Sequence, residues 1–313
     1  MVAGGGNLRI KNKERWNMRA KSNAAEKIAG AVNITFLLLL CLSILLPFAN
    51  ILALSFNDGT DAALGGIGIW PRQFTWANYQ EVFNNEDILQ SLKISVLRTG
   101  IGTALSVLLT AMAAFALKKK SLPGRNVYMF FIVFTMLFGG GIVPYYMVLK
   151  SLYLTNTFWV YIIPALYSAW NIILMRAFFQ SIDISLEESA KMDGAEDFTV
   201  LFRIILPLSL PVLAVIGLFN AVGHWNDWYA GTFFVKDKDL YPLQTLLKQM
   251  LDSAEAMRKK MMIVYMPGDP RQYVTGESLK MATLVVATLP IVCVYPFVQR
   301  YFVKGLMIGS VKG

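Results

Sequence analysis

Six long apolar runs constrain this chain more than any other feature. They lie at about 29–56, 91–117, 127–149, 158–180, 206–230 and 280–303 in a chain of 313 residues. A helix rises about 1.5 Å per residue, so roughly 20 apolar residues cross a hydrocarbon layer of about 30 Å. Each run is therefore long enough to span a bilayer. Lipid cannot satisfy an open strand edge, and no run alternates as a membrane barrel would, so the spans are expected to be helices. Composition agrees: 56% of residues are hydrophobic, 16% are charged, and the mean hydropathy is +0.50, a balance foreign to soluble domains.

The net charge of +9 is better explained by topology than by nucleic acid. Seven Lys/Arg crowd the first 28 residues and four more (Lys118, Lys119, Lys120, Arg125) fill the loop at 118–126, whereas Arg72 and Lys150 stand alone in the alternate loops. Positive residues favour the cytoplasmic face, which predicts six spans with both termini in the cytoplasm. The loop at 231–279 runs against this pattern with seven Lys/Arg, but long loops obey the rule poorly. The first apolar run exceeds a signal-peptide core and reads as an uncleaved span. Cys41 and Cys293 fall inside spans and are expected to be buried free thiols.

The sequence predicts a basic arm at 1–27, a first span at 28–56, a loop at 57–90, a five-helix core at 91–303 and a tail at 304–313. Trp70, Trp76 and Tyr79 in the first loop suit a membrane interface. Pro144, Pro164, Pro207, Pro211, Pro290 and Pro296 are candidate kinks. Gly139-Gly140-Gly141 permits either a close helix contact or a local break. The loop at 231–279 carries a helical stretch, LQTLLKQMLDSAEAMRKKMM, before a turn-rich MPGDPRQ.

Between the fourth and fifth runs lies a polar, helix-prone segment, ESAKMDGAEDFTVLFRIILPLSLP. Its physics suggests one short helix over 186–198 capped by Ser185, with Glu187 and Glu188 near its positive end. Gly194 would then allow a bend or a close backbone approach. A short helix displayed between spans suits a groove on a partner.

That segment resembles the EAA loop of bacterial ABC import permeases. The family pattern falls on Glu188, Ser189, Ala190, Asp193, Gly194, Ala195, Phe202, Ile204, Leu206 and Pro207, within a loop at 181–207. Many sugar-type members place a proline before the helix where this chain has Asp183, which can also cap a helix. The Phe-Thr-x-x-Asn-Tyr stretch at 74–79 is similar to one preceding the core of sugar-type importers. The ending QRYFVKGLMIGSVKG resembles the maltose-type permease subunit, whose tail reaches the ATPase. The likeness covers roughly residues 70–313.

The resemblance implies an all-α integral membrane protein with the type I ABC importer permease fold and six transmembrane helices, in a bacterial cell membrane. It implies a non-catalytic subunit, with ATP and Mg bound by partner ATPases. The implied assembly holds a second related permease subunit, two ATPase subunits and an extracellular solute-binding protein, with sugar or oligosaccharide as cargo. The EAA positions would couple to the ATPase, Met307, Ser310, Lys312 and Gly313 would contact it through the tail, and the loop at 231–279 would meet the binding protein.

No phosphate-cradling GxxxxGK(S/T) loop occurs, and one histidine with two separated cysteines offers no metal constellation. Polar residues at membrane depth are functional candidates. Trp170, Asn171, Asn220, His224, Trp225 and Asn226, with Asp227 beside them, form the best cluster for a sugar path, set against plain interhelical hydrogen bonding. Arg98 and Arg176 are expected near the ends of their spans. An amino-acid or peptide importer is a rival reading. A secondary transporter is another, though it would call for midplane ionisable residues or repeated halves.

Overall fold

The computed structural model describes residues 24–261 and 276–309, which carry nearly all-helical structure. The basic arm before residue 24, the MPGDPRQ stretch, and Ser310, Lys312 and Gly313 lie outside the described residues. Among the described residues no β-ladder forms beyond a single bridge between Asn57 and Phe74.

Helix α1 (Ala24–Ser55) runs into a looped segment holding the short α2 (Gly59–Ala63) and α3 (Ala77–Asn84). Helix α4 (Glu86–Lys118) is the axis of the molecule, about 50 Å long at 1.5 Å per residue. Asn85 accepts a bond from the Ile88 N–H and starts it, with Glu86 and Asp87 in the first turn and Lys118 in the last, as the helix dipole favours. Small residues at Gly102, Ser106, Thr110 and Ala114 line its buried face, letting the later helices at Ala169–Gln180 and Leu210–Asn226 pack closely against it.

The third apolar run is not one helix. Helix α5 (Arg125–Leu137) ends before Gly139-Gly140-Gly141, and α6 (Ile142–Ser151) starts after them. Gly141 sits at φ +78°, so the triplet acts as a backbone break rather than a packing seam. The fourth run is also divided: two 3₁₀ turns, Phe158–Tyr161 and Ile163–Leu166, precede α7 (Ala169–Gln180), and the halves meet at 45°. Pro144, Pro164, Pro207 and Pro211 all sit within the first residues of their helices, where a missing N–H costs little. Only Pro290 and Pro296, with Pro47, lie inside long helices.

After α8 (Ile184–Met192) and the single turn α9 (Asp197–Val200), a π-helical turn at Leu201–Ile205 leads into α10 (Leu206–Leu208). The chain then bends by 85° at Ser209 into α11 (Leu210–Asn226). Pro207 therefore sits in the short α10, just before that bend. Helices α12 (Tyr229–Phe234) and α13 (Leu243–Met261) follow, and α14 (Gly276–Gly309) closes the described chain against α1 and α11. Among the described residues, three helices are long and apolar enough to cross a membrane alone, and each of the two bent pairs qualifies when taken together.

The main core lies toward the Lys118 end of α4, where Ala111, Ala114 and Phe115 meet Met175, Phe179, Leu201, Ile205 and Ile216. Two further clusters sit toward the Glu86 end. One joins Val82, Ile88, Leu243 and Leu247, the other Ile94, Leu149, Tyr161 and Phe234. Outside the buried clusters, long stretches of helix surface are apolar. Helix α1 presents Phe36, Leu39 and Leu45, and α5 buries no residue at all. That is why Cys41 and Cys293, expected to be buried, are both exposed thiols: lying within a span is not the same as lying within the protein.

The Phe-Thr-x-x-Asn-Tyr stretch has a structural job. Phe74 bridges Asn57, and buried Asn78 donates to the carbonyls of Ser55 (3.0 Å) and Asn57 (2.8 Å). The Tyr79 hydroxyl shares a 2.8 Å bond with the Ser55 hydroxyl, and Phe56, Phe74, Trp76 and Tyr79 cluster ring against ring. The motif fastens the end of α1 to the start of the core. Tyr79 is thus engaged in that lock, while Trp70 remains 78% exposed.

Candidate functional site

Two places concentrate chemistry, one at each end of α4. At the Lys118 end, α8 stands on the surface. The expected helix over 186–198 is shorter and starts earlier: Asp183, not Ser185, is the cap, accepting from the Ser185 N–H at 3.0 Å. That bond holds the Asp183 carboxyl below the usual carboxylate range. Aspartate thereby supplies the helix start that proline gives elsewhere.

The helix ends in a Schellman turn. The Ala195 N–H reaches the Ala190 carbonyl at 2.9 Å and the Gly194 N–H reaches Lys191 at 3.0 Å, with Gly194 at φ +83°. A Cβ on Gly194 would meet nothing within 4 Å, so glycine is needed here for the turn and not for a close approach inside this chain. The turn splits the expected single helix into α8 and α9.

Burial divides the motif into an anchor and a display face. Glu187, which lies outside the motif positions, is buried and ion-paired to Lys118 at the end of α4. Ala190, Ala195 and Leu206 are half-buried against the core. Glu188, Ser189, Asp193 and Gly194 are exposed, as are Phe202 and Pro207, and Ile204 is intermediate. Met192 is 89% exposed and Phe198 62%, a pair of large apolar side chains with no cover from this chain. Lys119 and Lys191 (3.3 Å) both pair with Asp197. The hydrogen bond from Lys119, against a smaller opposing effect of burial, holds the Asp197 carboxyl below its ordinary range. Arg176, expected to snorkel at a span end, donates its Nε to the Leu117 carbonyl at 3.0 Å and ties α7 to the same corner.

Toward the Glu86 end, a cleft of about 650 Å³ opens between the broken fourth run, α4, and the α11–α12 junction. Trp170, Asn171, Asn220, His224 and Asp227 line it together with Arg98, Tyr145, Tyr161 and Tyr229. Trp225 and Asn226 do not: the Trp225 indole N–H donates to the Ala287 carbonyl at 2.8 Å, fixing α11 to α14, and Asn226 ends α11 as an exposed residue. Residues 224–226 are consecutive and so point to three sides of one helix.

Arg98 departs furthest from expectation. It is 1% exposed, twelve residues into α4, and donates to the Asp227 carboxylate at 2.5 Å and to the Asp227 carbonyl at 3.0 Å. Its guanidinium lies 4.4 Å from the Tyr161 ring centroid, and its Nε has no partner. The other carboxylate oxygen of Asp227 caps α12 through the N–H groups of Tyr229 (2.9 Å) and Ala230 (3.2 Å). One aspartate therefore joins α4, α11 and α12. His224 is packed over Gly102, where a Cβ would fall 2.4 Å from its Nε2.

Apolar helices broken around a polar cleft, with an exposed short helix at the opposite end, are the architecture of a membrane transport subunit. Its family can be stated. Residues 102–308 match the binding-protein-dependent transport system inner membrane component family, and the chain belongs to it. It is accordingly a permease subunit of an ABC import system, nearly all-helical over the described residues, and a bacterial inner-membrane component without catalytic chemistry of its own. It is 41% identical over 278 residues to the polygalacturonan/rhamnogalacturonan transport system permease protein YtcP of Bacillus subtilis (strain 168), covering 89% of this chain and 96% of that one. Protein LplC of the same strain is 39% identical over 291 residues, covering 92% and 96%. Among solved structures, a chain of a bacterial ABC transporter involved in the import of the acidic polysaccharide alginate superposes with a TM-score of 0.81 at 29% identity, covering 90% of this chain and 99% of that one.

Proposed function

We infer that the chain is one transmembrane subunit of an ATP-driven importer of oligosaccharides, delivered by an extracellular solute-binding protein. The observation that carries the coupling role is the construction of α8: an exposed helix with Met192 and Phe198 uncovered, its base locked to α4 by the buried Lys118–Glu187 pair. A helix so held passes force from a docked partner into the axis of the bundle. ATP and Mg are bound by two partner ATPases, and closure of those subunits moves α8, α4 and the bent α10–α11 pair together. Sugar cargo is supported by a relative named for polygalacturonan/rhamnogalacturonan transport and a structural neighbour involved in alginate import, and the same names weigh against an amino-acid or peptide cargo.

Six spans, with the Lys118 end and both termini in the cytoplasm, fit the distribution of Lys and Arg. A second related permease would cover the face of α5 and α6. Irregular backbone in the hydrocarbon layer is tolerated only against protein or water, and the glycine break at 139–141 is exposed on that face. The tail at 304–313 would reach the ATPases through Met307, Ser310, Lys312 and Gly313.

The test is gentle extraction of the tagged chain from its host membrane, followed by identification of what copurifies. A second permease and an ATPase at 1:1:2 is the expected result. A chain that purifies alone and transports in liposomes without ATP would sink this reading in favour of a secondary carrier.

A further inference from the structure

We propose that Ser209 is the pivot of a two-position hinge, and that the bend between α10 and α11 opens and closes as the importer turns over. The proposal rests on the importer reading above and names a moving part within it.

The first argument is backbone. The chain turns by 85° between residues 197–208 and 210–226, and a proline stands on each side of the turn. Pro207 cannot donate to the Arg203 carbonyl, nor Pro211 to the Pro207 carbonyl, so two rungs of the helical ladder are missing. The Leu206 N–H reaches back five residues to the Leu201 carbonyl, closing the π-helical turn. The Ser209 N–H reaches back only three, to Leu206 at 3.0 Å. A wide turn beside a tight one makes a joint that few bonds hold at one angle.

The second argument is burial. Ser209 is 0% exposed, and Ile205 and Val212 on either side of it in the chain both belong to the main core. Its hydroxyl has no hydrogen-bond partner among the described residues, a costly state for a polar group in apolar surroundings. In a straighter chain Ser209 would sit one helical turn beyond Ile205, where a serine hydroxyl bonds the carbonyl four residues back. The same straightening would let the π-helical turn relax to an α-helix. Two unrelieved conflicts at one joint, removed by one motion, mark the bend as one of two positions.

The third argument is room. Pro207, Leu208 and Leu210 are exposed at the bend, so this chain does not obstruct a change of angle there. Along the backbone, a displacement of α8 reaches α11 only through α9, the π-helical turn and this joint.

The assembled transporter, in proteoliposomes with its binding protein, provides the test, in a background with Cys41→Ser and Cys293→Ser. Spin labels on Glu196→Cys and Asn226→Cys, both exposed positions, report the angle of the joint. A second pair on Leu109→Cys and Asn226→Cys reports α4 against α11. Arms of about 18 Å and 26 Å, opened by about 20°, the scale of a distinct kink, lengthen the first distance by about 4 Å. That difference is expected between the nucleotide-free and vanadate-trapped states, with the second pair unchanged. Ser209→Ala, which fits the same space, should deplete the longer form about fivefold, the scale of one hydrogen bond. Equal distances in both states of an assembly that imports sugar would overturn the hinge alone. Equal shifts in both pairs, or an alanine variant with wild-type populations, would overturn it too. An assembly that hydrolyses no ATP would overturn the importer reading and the hinge with it.

Discussion

Arg98 and Asp227 should not be equivalent under mutation, although they form one ion pair. The Arg98 side chain is 2% exposed and that of Asp227 29%. Removing the carboxylate strands a cation in the interior, at about 3–5 kcal/mol, and also uncaps α12. Replacing the cation by an apolar chain of similar length leaves Asp227 able to meet water in the cleft. Asp227→Ala is therefore expected to lower the unfolding temperature of the detergent-solubilised protein well beyond Arg98→Met. Equal shifts would show that the pair contributes through packing only. Gly102→Ala should cost about 1–3 kcal/mol by overpacking, because its methyl would fall 2.4 Å from the His224 Nε2, and the same thermal measurement reads it. Neither effect was legible along the chain. Arg98 and Asp227 are 129 residues apart, and an arginine near the edge of an apolar run is indistinguishable by pattern from one that snorkels. The adjacent Glu187 and Glu188 pose the same difficulty. The family motif marks the exposed one, while the anchor is identified only by Lys118, 69 residues away.

Helix α8 carries predictions of its own, because its two ends are held by different devices. Gly194→Asp should insert and express normally yet abolish uptake, since aspartate tolerates the left-handed turn while its charge and bulk face the exposed side. Gly194→Ala should instead loosen the turn by about 1–2 kcal/mol, seen as faster amide exchange over 190–195. Normal transport by the aspartate variant would remove the coupling role. Acid should loosen the segment as a whole. Asp183 and Asp197 have depressed carboxyl pKa values in the folded state, so the stability they add is present above the unfolded carboxylate range, near 3.9, and is lost as pH falls through their folded values. Proteolysis within 183–200 should rise as pH drops below about 4 and not between 8 and 6; a rise already at pH 6 would point to another group. At this scale the sequence was informative about existence and poor about boundaries. The polar segment between apolar runs announces an exposed helix, but hydropathy cannot place a Schellman turn, a π-helical turn or an 85° bend, each of which is a backbone event inside an unbroken pattern. Gly139-Gly140-Gly141 was ambiguous for the same reason.

Across the whole molecule, the proposed orientation rests on where the basic residues collect. A cysteine introduced at Ser121, in a background with Cys41 and Cys293 replaced by serine, should react with a membrane-impermeant maleimide only after the inner membrane is opened. One placed at Gly66 should react beforehand. The opposite pattern would invert the chain and place α8 away from any cytoplasmic ATPase. Apolar runs made the all-helical class plain, because lipid leaves few alternatives, whereas the cleft depends on breaks and pairings that bring distant spans together.

The packing of α1 against α14 also sets a timetable. Roughly 220 residues separate the end of one helix from the start of the other. At about 5–20 residues per second, α1 waits on the order of 10–45 s for its neighbour to be made. During that interval it is held by lipid, the Asn78 lock and the bonds from Asn50 to the Ile67 and Gly68 carbonyls, so a chain halted before α14 leaves its first helix without its main helical neighbour.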